Sequence, residues 1–297
     1  MEDPNIIATL VATESESHLA RRAFTLAHNR DRYLPPLLET SHSSSRESTP
    51  FSDHAQEHDK VHTADRFELT FDKPPKKPRD GFVFGWNSDC DIQLLDKNNI
   101  QPEDRYSVQK ISRRHFSITF DAQRRVVLRD TSTNGTSVSY DGQAQNEVRS
   151  HFTWIIFPNY RSIIFQIPKA GVSFRIQLSE HKTCEAQYFA NIDSVFAERK
   201  RSQESELTSP VHNLRVRSRT TSTVLSEAAT PRQGPIYLLR EVLGQGTFGK
   251  VYKVVDVSTG EFYAGKTFYR PDWAREVGIM KKAAHVSALS VSQRVFH

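Results

Sequence analysis

Cysteine is nearly missing. Cys90 and Cys184 are the only two, they stand far apart, and the opening Met-Glu-Asp-Pro-Asn has neither the basic nor the apolar part of a secretory leader. A disulfide-stapled secreted scaffold is excluded, and a reduced protein of the nucleus or cytoplasm is expected. Long apolar runs are missing as well: Trp154 to Phe157 and Ile163 to Phe165 fall far below the ~20 residues a membrane-crossing helix needs. No membrane association is therefore expected. A charge excess of one sign is absent too, since 40 Lys and Arg against 35 Asp and Glu leave a net +5. With no basic stripe interleaved with aromatics, direct nucleic-acid contact is not expected. No partner ligands lie at useful spacing from His115, and no metal site is expected. Apolar residues make up only 37%, with a mean hydropathy of -0.58. That composition suits one complete domain with tails better than two full domains in 297 residues.

Residues 1–65 form an N-terminal region expected to be partly disordered. It holds one predicted helix, because Leu19, Ala23, Leu26 and Ala27 recur at helical spacing behind the candidate caps Ser15 and Ser17. From Glu39 to Asp65 the Ser, His and acidic content reads as a linker. Between 66 and 181 the pattern changes to short β-rich runs: Phe67–Phe71, Phe82–Trp86, Ile92–Leu95, Phe116–Phe120, Val126–Leu128, Phe152–Phe157, Ile163–Ile167 and Val172–Leu178. Many short strands with polar breaks predict an all-β sandwich. Residues 182–199 are predicted as a helical extension with Ala186, Phe189, Ala190, Asp193 and Phe196 on its packed side. Residues 200–235, rich in Ser, Thr, Arg and Glu, read as a disordered linker. Ser209-Pro210 and Thr230-Pro231 there are either phosphorylation sites or merely solvated linker, and Ser202-Gln203 is a dipeptide that arises easily by chance.

Three pieces of the sandwich carry chemistry. They are Gly85-Trp86-Asn87-Ser88-Asp89-Cys90-Asp91, Ile111-Ser112-Arg113-Arg114-His115 and Asp130-Thr131-Ser132-Thr133-Asn134-Gly135-Thr136. In order and separation they resemble the forkhead-associated (FHA) domain, a β-sandwich that reads phosphothreonine through loops at one end. The resemblance spans about Glu68 to His181. It implies that Ser112 contacts the phosphate, that Thr133 and Asn134 hold the peptide backbone and shape the pocket, that Gly135 supplies a turn and that His115 braces the loops internally. Guanidinium and hydroxyl donors suit a phosphate dianion. Where the family places an arginine after the first glycine this chain has Trp86, a loss worth roughly one to two orders of magnitude in affinity. Arg105, Arg113 and Arg114 are the residues available to compensate, and a sandwich that kept its fold but lost its ligand is the competing reading.

Downstream, Gly244-x-Gly246-x-x-Gly249-x-Val251 precedes Lys266 by about fifteen positions. The same glycine spacing marks dinucleotide folds, but Lys250 to Asp256 alternates as a strand, Ser258-Thr259-Gly260 reads as a turn, and Glu261 to Phe268 reads as another strand. Residues 260 to 267 also satisfy the P-loop pattern, with an interior of Phe262-Tyr263-Ala264 too bulky and strand-like to wrap a phosphate. Strand, glycine loop, strand, turn, strand resembles the N-terminal lobe of a protein kinase. By that resemblance residues 236–285 are a partial kinase lobe in which Gly244, Gly246 and Gly249 cover the ATP phosphates. Val251 and Ala264 touch adenine, Lys266 contacts phosphate, and Glu276 pairs with the lysine. Residues 286–297 resemble nothing in a kinase. The 297 residues hold no His-Arg-Asp, Asp-Phe-Gly or Ala-Pro-Glu piece. No catalytic residue and no Mg2+ site is therefore assigned, ATP binding is expected to be weak or absent, and phosphoryl transfer is not expected. Two functions follow: a Ser/Thr kinase of the FHA-plus-kinase type that is catalytically incomplete as written, or a non-catalytic interaction protein that binds phosphothreonine-containing partners and carries a kinase remnant.

Overall fold

The computed structural model describes residues 2–15, 17–36, 64–208, 234–247 and 249–269. They fall into two units divided between residues 203 and 204. The first contains strands β1 (Ile6–Ala12), β2 (Tyr33–Leu34), β3 (Arg66–Thr70), β4 (Phe82–Gly85), β5 (Ile92–Gln93), β6 (Phe116–Phe120) and β7 (Val126–Asp130). It continues with β8 (Thr136–Tyr140), β9 (Val148–Arg149), β10 (Thr153–Ile155), β11 (Ile163–Ile167) and β12 (Val172–Gln177). Three helices accompany them: α1 (His18–Thr25), the single turn α2 (Arg105–Val108) and α3 (Glu185–Thr208).

Among the described residues the strands form two sheets, ordered β2-β3-β1-β12-β11-β8-β9 and β10-β7-β6-β4-β5. Aromatic side chains join them. Phe165 of β11 meets Phe116 of β6 edge-on at 5.2 Å and Phe84 of β4 at 6.4 Å, the geometry ring quadrupoles favour. Tyr140 of β8, fully buried, donates its hydroxyl to the carbonyl of Ile155 on β10 at 2.7 Å. Central β6 is buried along its whole length, which is why its sequence reads as continuously apolar or small. The mainly β sandwich expected from the sequence is what the chain forms.

The sheet reaches further towards the N-terminus than the expected boundary at 66. β1 lies between β3 and β12, with Leu10 opposite Phe67 on one side and Ile176 on the other. Ile7, Ala8 and Leu10 are buried. The predicted N-terminal helix is present as α1, but Ser17 does not cap it: its hydroxyl donates back to the Thr13 carbonyl. The first helical N–H groups of Leu19 and Ala20 go instead to the Gly171 carbonyl at 2.9 and 3.2 Å, a tertiary solution to the unpaired donors of a helix start. Gly171 is required there because a Cβ would sit 1.9 Å from the His18 ring. Arg22 pairs with the buried carboxylate of Asp104, which fixes α1 against the segment leading into α2.

Helix α3 corrects two expectations. Its packed face centres on Ile192 with Tyr188, Val195 and Arg199 half-buried beside it; of the expected side, Phe189 and Phe196 are half-buried too, and Asp193 pairs with Arg124 at 2.8 Å. Ile192 is fully buried, while Ala186, Ala190 and Asp193 are exposed. Arg199 holds that face by donating to the carbonyls of Pro78 at 2.8 Å and Phe120 at 3.2 Å, its stem covering apolar surface while the head finds acceptors. The helix also continues through Thr208, so residues 200 to 208 are helix and not linker. Their Lys, Arg, Gln and Glu are good helix formers, and Glu198 pairs with Arg201 one turn on at 2.7 Å.

The second unit is a three-stranded antiparallel sheet of β13 (Tyr237–Gly246), β14 (Gly249–Asp256) and β15 (Phe262–Phe268), the strand order read from the sequence. The P-loop reading is overturned by it. Residues 262 to 267 are extended and paired with β14, so they form no phosphate-wrapping loop. The predicted helix around Glu276, the stretch 270–297 and the linker residues 209–233 lie outside the described residues.

Candidate functional site

The candidate rim is built where the end of β4 meets the segment 112–115. Gly85 makes this possible, since a Cβ on it would lie 2.2 Å from the Arg113 carbonyl. The two stretches are joined by Trp86 N–H donating to Ser112 O at 3.4 Å, Asn87 N–H to Arg113 O at 3.1 Å and the Cys90 thiol to the same oxygen at 3.2 Å. Burial, helped by Asp89, pushes the Cys90 thiol up to about 12, so this cysteine is a packing group and not a reactive one.

His115 is completely buried and connects strand β4, the 112–115 segment and the turn between β7 and β8. Its backbone N–H donates to Phe84 O at 2.7 Å, and its Nδ1 accepts the Ser112 N–H at 3.0 Å. The accepting Nδ1 leaves the proton on Nε2, which donates to Gly135 O at 3.3 Å. Burial lowers the imidazole's pKa from 6.5 while the Asp130 carboxylate, 3.8 Å away, opposes that shift. Asp130 is itself saturated: it accepts from the Ser132 N–H at 2.8 Å, the His151 N–H at 3.1 Å and the Thr136 hydroxyl. Ser132 then accepts the Gly135 N–H at 2.8 Å, and Gly135 takes φ +81° in the turn between β7 and β8.

The outcome is that Ser112, Thr133 and Asn134 stand on one rim. The Ser112 hydroxyl oxygen is 3.4 Å from the Thr133 N–H, and the Asn134 amide donates to Gln109 O at 3.3 Å and Lys110 O at 3.1 Å. Ser112 is half-buried, while Arg113, Thr133 and Asn134 are exposed. The rim presents a hydroxyl, a backbone N–H edge and a guanidinium, a donor set suited to an oxyanion.

The three arginines named as compensating for Trp86 separate. Arg114 is engaged by Asp80 and lies 3.9 Å from Asp89, so it is neutralised within the fold. Arg105 is exposed on α2. Arg113 places its guanidinium carbon 5.7 Å from the Trp86 ring centroid, and Lys97, which sequence reasoning passed over, places its ammonium 3.4 Å from the same centroid. Lys97 gave no signal because eleven positions of irregular chain separate it from Trp86.

In the second unit the register sets Val251 opposite Lys266 and Gly244 opposite Val251, with Lys253 opposite Ala264. Paired antiparallel residues share a face, so Gly244, Val251, Ala264 and Lys266 lie on one side of that sheet. The glycines differ in kind. A Cβ on Gly244 or Gly246 would meet nothing within 4 Å, whereas one on Gly249 would lie 1.9 Å from Thr267 O. Glu276 lies outside the described residues. Among the described residues no group of three or more His, Cys, Asp or Glu could hold a metal, and no helix is long and apolar enough to cross a membrane.

A family model of the FHA domain aligns with part of the first unit. Residues 82–151 match it. The matched stretch contains β4 through β9 and every rim residue named above. β1, β2, β3, β11 and β12 complete the first sheet from outside it. The crystal structure of Rad53 1-466 in complex with AMP-PNP is similar at 19% identity and a TM-score of 0.33, with 71% of this chain and 40% of that chain covered. This chain therefore spans less than half of that one. No curated protein matches the chain.

Proposed function

We propose that the sandwich docks phosphothreonine-containing proteins at the rim formed by Ser112, Arg113, Thr133 and Asn134, as FHA domains do. The observation that carries this reading is the His115 bracket, which binds the Ser112 N–H and the Gly135 carbonyl from opposite ring nitrogens. It leaves the Ser112 hydroxyl beside the Thr133 N–H. The phosphate takes donors from Ser112 and Arg113, and the peptide backbone runs along Thr133 and Asn134. The test is a titration of the full chain with a phosphothreonine peptide and its unphosphorylated twin. Preference for the phosphorylated form, reduced by Ser112→Ala, is the expected result; equal weak binding to both overturns the reading.

A second reading concerns the second unit. The shared face of Gly244, Val251, Ala264 and Lys266, together with open space over Gly244 and Gly246, supports a nucleotide approaching the β13–β14 loop, since glycine permits close backbone approach. The order of sandwich, glycine loop and lysine strand supports descent from FHA-containing Ser/Thr kinases. With no catalytic-loop or magnesium motif in the 297 residues, this reading assigns ATP contact alone. Calorimetry with ATP on the native chain and Lys266→Ala tests it: no heat from either removes the nucleotide reading.

A further inference from the structure

Two cations meet at one neutral ring beside the docking rim. The Lys97 ammonium is 3.4 Å from the Trp86 centroid and the Arg113 guanidinium carbon is 5.7 Å from it. Among the described residues neither forms an ion pair with a carboxylate. The nearby acids are engaged elsewhere, Asp96 by the Asn98 N–H at 2.9 Å and Asp80 and Asp89 by Arg114. An indole face attracts a cation, but like charges gathered on one ring repel each other, and among the described residues no ion pair offsets them.

We propose that Trp86 gathers Lys97 and Arg113 into a two-cation clamp for the phosphate of a docked phosphothreonine. Lys97 is the specificity-determining cation and Trp86 its positioning residue. The proposal rests on the phosphothreonine reading above. Arg113 follows Ser112 directly, and the Trp86 N–H is bonded to the Ser112 carbonyl at 3.4 Å. The backbone that carries the ring is therefore joined to the backbone of the residue whose hydroxyl faces the rim. A forked guanidinium and a compact ammonium complement a phosphate, which carries close to two negative charges at neutral pH. One carboxylate satisfies only one of them, so the clamp selects phosphothreonine over an acidic residue in the same place.

The experiment is fluorescence anisotropy on the full chain. The probe is a labelled peptide with one central phosphothreonine and degenerate flanks, compared with its Thr and Glu twins. Lys97→Ala is expected to weaken phosphopeptide binding roughly tenfold, the effect of losing one charge-assisted bond. Lys97→Arg should stay within about threefold of native because the cation is kept. Trp86→Ala should weaken binding like Lys97→Ala, and Trp86→Phe should recover most of the loss because an aromatic face returns. A merely structural role for position 86 would lower the melting temperature without this rescue pattern. Native-like binding by Lys97→Ala, with Ser112→Ala impaired, overturns the clamp and leaves the docking reading intact. A native chain that does not distinguish the phosphopeptide from its Thr twin overturns both.

Discussion

Ser112 is held by its backbone, not its hydroxyl: its N–H donates to His115 Nδ1 at 3.0 Å. The side chain that meets a ligand is thereby left to the rim, where its oxygen accepts only the Thr133 N–H at 3.4 Å, and the group that anchors it is buried and out of a ligand's reach.

Separating the anchor from the contact makes Ser112→Ala informative. Stability should stay within about 0.5 kcal/mol of native, as for a half-exposed side chain outside the core, while phosphopeptide binding falls about tenfold. Thermal melting and anisotropy on the same preparation read the two effects. A large drop in melting temperature would show that the hydroxyl is structural.

His115→Phe removes the bracket and orphans two buried groups, the Ser112 N–H and the Gly135 carbonyl. Each lost partner costs about 1 to 3 kcal/mol, so destabilisation of roughly 2 kcal/mol or more is expected by urea unfolding, together with lost phosphopeptide binding.

The same residue sets a pH dependence. Burial holds the folded imidazole below its ordinary 6.5, so the unfolded chain binds the proton more readily. Stability from this group is complete above that value and is lost as the pH falls below it towards the folded pKa. Melting curves at about pH 7.5 and 5.5 should show the loss. His115→Phe should shrink it, leaving what the other histidines contribute.

Gly85→Ala should disrupt both fold and rim, because the added carbon would be driven into the Arg113 carbonyl at 2.2 Å. Overpacking of this kind costs typically about 1 to 3 kcal/mol. The backbone shift needed to relieve it would move Trp86 and the 112–115 segment, and a native-like melting temperature would contradict the close approach.

Arg199→Ala should loosen α3 from the sandwich. The guanidinium serves the carbonyls of Pro78 and Phe120 and the Thr119 hydroxyl, and losing it should cost about 1 to 3 kcal/mol. Hydrogen exchange in the helix should rise before that in β6 does; simultaneous exchange of both would argue that α3 is integral to the core.

The sequence was informative wherever a strand carried its own apolar pattern. β6 and β11 were read with their observed ends, since Phe116 to Phe120 and Ile163 to Ile167 are short apolar runs between polar breaks. β8 was passed over because Thr136, Ser137 and Ser139 look like turn residues, although Thr136 and Ser137 are buried. β1 was missed because its partners lie about sixty and one hundred and sixty positions away. The packed face of α3 centres on Ile192 and includes Arg199, which a search for apolar spacing does not select. The rim triad followed from motif spacing, but Lys97 depends on how an irregular loop folds over Trp86, and no local periodicity reports that.

The placement of β1 between β3 and β12 also bears on how the chain is made. A strand emerging from the ribosome near the beginning must wait for its second neighbour at 172–177. At translation rates of about 5 to 20 residues per second the delay is roughly ten to thirty seconds. Through that interval Ile7 and Leu10 have only β3 and β2 on one side and no strand on the other. Completion of this sandwich is therefore a late event in synthesis, and nascent chains arrested before residue 172 should be clients of chaperones that bind extended apolar segments.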